Sequence, residues 1–293
     1  MATTLIERKL PARFFFGSAL AAFFWFASWT HWGALGEHAF FPQWFGYILA
    51  VDALVVWRRG TSLLTRAPRE FAALFALSAP IWWLFEGLNN FVLNWHYLIP
   101  EAYSVLQIVV EATINFGTVI PAVFETTELV LTLPFLERLP PRPLPCAPPL
   151  SGEGWVERSR ALWLTMYAGV AGFAAIVFVP QFAFPLTLVW LFLILDPLNH
   201  LRGRASLIAQ ATRGDWRMPL ALALAVLVCA LFWEMWNFYA FPKWFYTVPF
   251  FGFGKIFEMP AMGYLGYIPF AWELYALYHF AWGVLRRPAI ALA

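Results

Sequence analysis

Two stretches place the same hydrogen-bonding groups in otherwise oily sequence. Residues 81–97 read IWWLFEGLNNFVLNWHY, and residues 231–246 read LFWEMWNFYAFPKWFY. In the first, Glu86 shares a helical face with Asn89 and Asn90; in the second, Glu234 shares one with Asn237, because residues three or four apart are neighbours on a helix. A carboxyl in apolar surroundings resists ionisation, so it can keep a proton at neutral pH and donate it, or take one back as a base. Glu86 and Glu234 are therefore the first candidates for acid–base chemistry. Glu111 and Glu258, each heading a later apolar run, are the second pair. Asn89, Asn90, Asn237, Trp83, Trp233, Glu125 and Glu273 are candidate binding groups around them.

These acids belong to a larger set. Asp52, Glu86, Glu111, Glu125, Glu128, Asp196, Glu234, Glu258 and Glu273 all fall in apolar runs, with at most Lys255 to oppose them there. An acid at mid-bilayer costs about 2.5–3.5 kcal/mol on insertion scales. Counting residues from the ends of each run predicts two layers. Glu86, Glu234, Glu111 and Glu258 form an outer layer; Asp52, Asp196, Glu125 and Glu273 form an inner one. The inner layer has a plain structural explanation, in which Asp52 pairs with Arg58 and Arg59, and Asp196 with Arg202, to pin helix ends. The outer layer has no arginine near it, so it reads either as a polar site in an aromatic cage or as hydrogen-bonded glue between helices.

The elements that must carry these groups are helices in a bilayer. Hydrophobic residues make up 61% of the 293 residues and charged residues 12%, about half the fraction of a soluble domain. Runs of about 20 residues, enough to cross a membrane, fall at 13–30, 41–57, 71–95, 104–135, 161–179, 185–200, 218–240 and 253–285. The fourth and eighth contain Pro121 and Pro269, which should kink or break them. Placing the N-terminus in the cytoplasm puts 17 of the 19 Lys and Arg on that side, leaving only Lys243 and Lys255 outside. The expectation is an all-α integral membrane protein of eight transmembrane helices with both termini cytoplasmic, in a bacterial inner membrane.

The eight runs divide into two related halves. Asp52 and Asp196, and Ser62 and Ser206, are 144 residues apart. Glu86 and Glu234, Asn89 and Asn237, Pro121 and Pro269, and Glu125 and Glu273 are 148 apart. NWHY at 94–97 answers KWFY at 243–246. Four spans per half make the repeats parallel, related by a pseudo-twofold along the membrane normal. Residues 1–138 form the first repeat, 139–157 a Pro/Gly-rich cytoplasmic linker, and 158–293 the second repeat.

Other chemistries lack their signatures. No phosphate-cradling loop, nucleophile elbow, Cys-x-x-Cys or heptad array is present, and no span carries Glu-x-x-His spacing. No metal, cofactor or nucleic acid is expected. His96, opposite Phe245 in the repeat, reads as an interfacial hydrogen-bonding residue. Three functions remain: a membrane-embedded enzyme acting on a lipid-soluble substrate, isoprenoids included, by carboxylic acid general acid/base chemistry; a proton- or cation-linked carrier using the same acids; and a non-catalytic subunit of a larger membrane complex. The partners are accordingly membrane lipid, a lipid-soluble small molecule, or other membrane subunits. Tandem helical repeats with intramembrane acids resemble the plan of the small tandem-repeat carotenoid cyclases. The adjacent-glutamate motif of that family after proline is absent, and residues 257–260 read FEMP, the reverse order, so the likeness concerns architecture.

Overall fold

The computed structural model of the chain describes residues 9–139 and 153–285, with positions 289 and 292, and the side chains of 137 and 153–159 left aside. Nine long helices dominate these residues: α1 (Ala12–Trp29), α2 (Phe40–Arg59), α3 (Pro68–Val92), α4 (Val105–Phe116), α5 (Val119–Val130), α6 (Glu153–Phe178), α7 (Trp190–Leu201), α8 (Arg217–Phe238) and α9 (Gly263–Val284). Two four-residue strands, β1 (Trp95–Leu98) and β2 (Lys243–Tyr246), pair with each other, and a minimal hairpin joins Lys255–Ile256 to Met259–Pro260. Among the described residues, five helical segments are long and apolar enough to cross a membrane, or six if the bent pair Pro180–Leu188 and Trp190–Leu201 counts as one span. The chain is a mostly helical integral membrane protein.

Local chemistry explains where the helices stop. Helix α2 ends at Gly60, whose left-handed φ of 87° lets its N–H close on Val56, while Arg58 and Arg59 occupy the last turn, where cations suit the helix dipole. Ser62 then caps the short helix Leu63–Arg66, and Ser206 caps Leu207–Thr212. Proline opens α3 at its first position. Glycines permit the tightest helix crossing: a Cβ on Gly17 of α1 would lie 2.5 Å from the Gly46 carbonyl oxygen of α2, and one on Gly46 2.6 Å from that of Gly17. Close backbone approach of this kind is how helices gain packing energy where lipid offers no hydrophobic drive.

The fourth apolar run is broken, as its proline requires, but four residues ahead of it. Pro121 cannot donate to Gly117, and the chain separates α4 from α5 at Gly117–Thr118. Ser78 of α3 repairs the break: its hydroxyl donates to Phe116 O (2.6 Å) and accepts from Ile120 N (3.1 Å). Backbone freed at membrane depth is tolerated where protein satisfies it in this way. Two expectations need correction in the eighth run. Pro269 lies inside the uninterrupted α9, and residues 253–262 form the small hairpin instead of helix. Phe250, Gly254 and Phe257 all take positive φ, which a right-handed helix does not accommodate. The linker expected at 139–157 lies mostly outside the described residues, and its final part is helical because α6 begins at Glu153.

Packing follows one scheme twice. α1 and α2 form a hairpin, as do α6 and α7; α2 and α3 both pack on α5, as α7 and α8 both pack on α9. The two sets meet where α8 lies against α5, and one apolar core runs through both. Tyr47, Thr126 and Cys229 pin this seam: Thr126 donates to Ala122 O (2.7 Å), so the Tyr47 hydroxyl 2.8 Å away must donate to Thr126, with the Cys229 sulfur 3.5 Å from the same oxygen.

The inner acids are held differently from the sequence expectation. Asp52 meets Arg13 of α1 (2.6 Å), thirty-nine positions earlier, instead of depending on its near neighbours; Arg58 and Arg59 reach the carbonyls of Thr132 (3.1 Å) and Leu131 (2.8 Å). Asp196 accepts from the Ser206 hydroxyl (2.6 Å) and from Leu207 N and Ile208 N (2.8 and 2.9 Å), so it anchors a helix start where Arg202 was expected.

Candidate functional site

The strands β1 and β2 run antiparallel, pairing Trp95 with Tyr246, His96 with Phe245, Tyr97 with Trp244 and Leu98 with Lys243. Paired residues share a face and alternate along each strand, so Trp95, Tyr97, Trp244 and Tyr246 line one face of the ribbon. His96 and Phe245 stack on the other at 5.2 Å. Thr247 donates its hydroxyl to Leu93 O (2.9 Å), which makes His96 Nε2, 2.7 Å from that oxygen, the donor to it.

Each end of the ribbon is fixed by an asparagine from the helix before it. Asn89 Oδ1 accepts from Asn94 N (2.9 Å) and Trp95 N (3.3 Å), and its Nδ2 donates to Trp95 O (2.7 Å). Asn237 does the same for Trp244, accepting from its N–H (2.8 Å) and donating to its carbonyl (2.7 Å). The amide thus takes the edge groups that the partner strand leaves open, a problem every two-stranded ribbon must solve. Two residues beyond each held tryptophan, on the same face, stands a tyrosine. Three residues before each asparagine, on the same helical face, stands a glutamate. The tyrosine closes on the glutamate: Tyr97 donates to Glu86 Oε1 (2.5 Å), and Tyr246 donates to Glu234 Oε1 (2.7 Å).

The two ends differ in their remaining donors. Glu86 Oε1 also accepts from Trp82 Nε1 (2.9 Å) and Trp95 Nε1 (3.1 Å). Glu234 Oε1 also accepts from Tyr267 of α9 (2.8 Å), while its Oε2 is buried with no hydrogen-bond partner among the described residues. Trp233 stacks on Tyr267 at 6.0 Å, holding that ring in place. Phe270 joins the two ends, touching Trp82 and Phe85 on one side (5.8 and 5.3 Å) and Tyr267 on the other (6.3 Å). Burial first, and the neighbouring glutamate second, raise Tyr97 and Tyr246 well above the usual tyrosine value. Both phenols therefore remain O–H donors at neutral pH.

The other expected site residues lie elsewhere. Glu111 accepts from Gln107 (3.3 Å) and meets His38 Nδ1 (3.2 Å). Glu258 sits on the small hairpin, paired with Lys243, close enough for its charge to act on Glu234 but held by none of the same donors. Asn90 turns away from the carboxyl and donates to Glu86 O (3.0 Å) on the exposed side. Trp83 donates to Thr113 (3.0 Å) and lines an apolar groove of about 1020 Å³ between α2, α3 and α4. Phe116 packs on both Trp82 and Trp83 (5.7 and 5.3 Å), so a single aromatic layer separates this groove from Glu86. Glu125 and Glu273 are fully buried at the other level; Glu273 accepts from Leu191 N (2.9 Å), where α7 begins after its bend.

The donors Tyr97, Tyr246, Tyr267 and Trp95 are not singled out by the sequence, and Trp82 stands out there only as one of several aromatics inside the spans. Their signal was present in the matched tetrapeptides, which place a tyrosine eleven residues after Glu86 and twelve after Glu234. No group of three or more His, Cys, Asp or Glu among the described residues is arranged to hold a metal ion. The arrangement can do proton chemistry: two carboxyls, each with one oxygen loaded by O–H or N–H donors, in an aromatic wall. No protein family, curated protein or solved structure matches the chain.

Proposed function

We propose that the protein is a membrane-embedded enzyme that moves protons on a lipid-soluble, electron-rich substrate such as an isoprenoid, with Glu234 as acid and Glu86 as base. The observation that carries this reading is the unequal burial of two similarly held carboxyls: Glu234 is 0% exposed, whereas Glu86 is half-buried. Glu86 Oε1 accepts three donors, the environment of a carboxylate. Glu234 keeps its second oxygen buried and unpartnered, the place for a carboxylic acid proton awaiting an acceptor. In the proposed step Glu234 Oε2–H adds its proton to a substrate double bond. Tyr246 and Tyr267 stabilise the carboxylate left behind, and Glu86 removes a proton from the resulting cation. Aromatic faces around Phe270 suit a passing positive charge. The groove behind Trp83 suits the apolar tail.

The same reading takes the chain as eight spans, with α1 and α9 completing the set, both termini in the cytoplasm of a bacterial inner membrane, and two parallel repeats about a pseudo-twofold along the membrane normal. The register of β1 with β2 supports the twofold. It pairs His96 with Phe245, its own counterpart, and places the other pairs symmetrically about them.

Comparing lipid extracts of cells with and without the gene, then with Glu234→Gln and Glu86→Gln, tests the activity. Loss of a lipid product in both variants, with the folded protein still present in the membrane, is the expected result. An unchanged lipid profile in the deletion strain refutes it. A carrier reading draws support from the second, deeper set of acids, and predicts instead an acid-dependent flux in proteoliposomes.

A further inference from the structure

A second polar centre lies well away from the ribbon. Phe40, at the start of α2, touches Trp244 of the ribbon, and Asp52 stands twelve residues further along the same helix, about 18 Å at 1.5 Å per residue. Two buried ion pairs meet there. Arg13 Nε is 2.6 Å from Asp52 Oδ2, and Arg66 grips Glu128 with both terminal nitrogens at 2.8 and 2.6 Å. Within electrostatic reach of all four groups is Glu125, one turn before Glu128 on α5. Glu125 is 0% exposed, and neither carboxyl oxygen has a hydrogen-bond partner among the described residues.

Charge counting decides what Glu125 is. Two guanidinium groups face three carboxyls, and each guanidinium is committed to one of them. The charges that act on Glu125 are those of Asp52, Glu128, Arg66 and Arg13. Thr126, the next residue on α5, is already bonded to Tyr47 and lies 3.5 Å from the Cys229 sulfur. An ionised Glu125 would be a fully buried charge with no donor among the described residues, a state far costlier than the stability of a folded chain allows. One proton balances the cluster.

We propose that Glu125 and its two flanking ion pairs form a one-proton binding site, separate from the glutamate–tyrosine pairs. It is loaded from the end of the bundle where Arg13 and Arg66 reach the surface, their side chains 29% and 24% exposed. The second half has no equal of it, because Glu273 is bonded to the Leu191 amide and Asp196 to a helix start in place of arginine. The ligand is the proton itself.

Infrared difference spectroscopy of the full chain in lipid nanodiscs, wild type minus Glu125→Gln at pH 7, tests the site. One carboxylic-acid carbonyl band should be lost in the variant, and the wild-type band should shift on transfer to D2O. Absence of that band overturns the proposal, since Glu125 is then ionised or holds a metal cation. A band that ignores D2O also overturns it, since the proton is then sealed in. If the Gln variant does not assemble, Glu125→Asp serves: a displaced band supports the site and an unchanged spectrum overturns it. Neither result bears on the lipid-product assay of Glu86 and Glu234.

Discussion

Replacing Asn237 with alanine removes one small side chain and unties two backbone groups. The buried amide holds both backbone groups of Trp244, at 2.8 and 2.7 Å. Each such bond is worth about 1 kcal/mol net, and leaving its partner unpaired costs up to about 3 kcal/mol. Strand β2 also carries Tyr246 to the Glu234 carboxyl, and a neutral hydrogen bond of that kind adds about 0.5–1.5 kcal/mol if the strand shifts. The expected loss for Asn237→Ala is about 3–5 kcal/mol, read by equilibrium unfolding in mixed micelles. Asn90→Ala is the control, because that side chain is exposed and returns to its own helix; it should lie within about 0.5 kcal/mol of wild type. Tyr246→Phe alone removes the bond to Glu234 without moving the strand. In the double variant the losses should overlap by about 0.5 kcal/mol or more, because the asparagine acts partly by placing the tyrosine. An alanine at 237 as mild as one at 90, or strict additivity with Tyr246→Phe, refutes the clamp.

Two further outcomes follow from geometry. Ser78→Ala strands Phe116 O and Ile120 N at the α4–α5 break, so it should cost about 2–4 kcal/mol in the same unfolding assay, while Ser78→Thr should retain most of the stability. Tyr97 and Tyr246 are raised by burial, so the folded state keeps their protons where an unfolded tyrosine, near 10, releases them. Above about pH 10 the unfolded chain binds fewer protons, and stability should fall as pH rises. Phenolate absorbance should then lag behind the value for ten free tyrosines until unfolding, and Tyr97→Phe/Tyr246→Phe should flatten the alkaline slope.

Helix positions were legible because apolar length and flanking arginines are local signals, and α1, α2, α3 and α8 begin and end within about three residues of the runs read from composition. The eighth run was misjudged because apolarity alone cannot separate a helix from a hairpin; the glycines at 252 and 254 and Pro260 were the discordant marks. Asp52 was assigned to Arg58 and Arg59 by proximity in sequence, yet its partner Arg13 comes from the helix that Gly17 and Gly46 allow to approach. Glu86, Glu234, Asn89 and Asn237 were found as a repeating polar face, but the role of the asparagines was invisible. A side chain that grips backbone six or seven residues later leaves no periodic trace. Between Asn89 and Trp95 the chain is one residue shorter than between Asn237 and Trp244, which is why the repeat offset changes there from 148 to 149.

Centring the ribbon on His96 and Phe245 makes each strand its own complement, as a symmetric dimer contact must be. In the two-repeat reading proposed above, each half contributes one strand and the asparagine that holds it. Each tyrosine reaches the glutamate of the helix before its own strand, so the ribbon joins the two sets of helices without exchanging their carboxyl partners. The ribbon and the α5–α8 seam thus fasten the two sets of helices at two separate places.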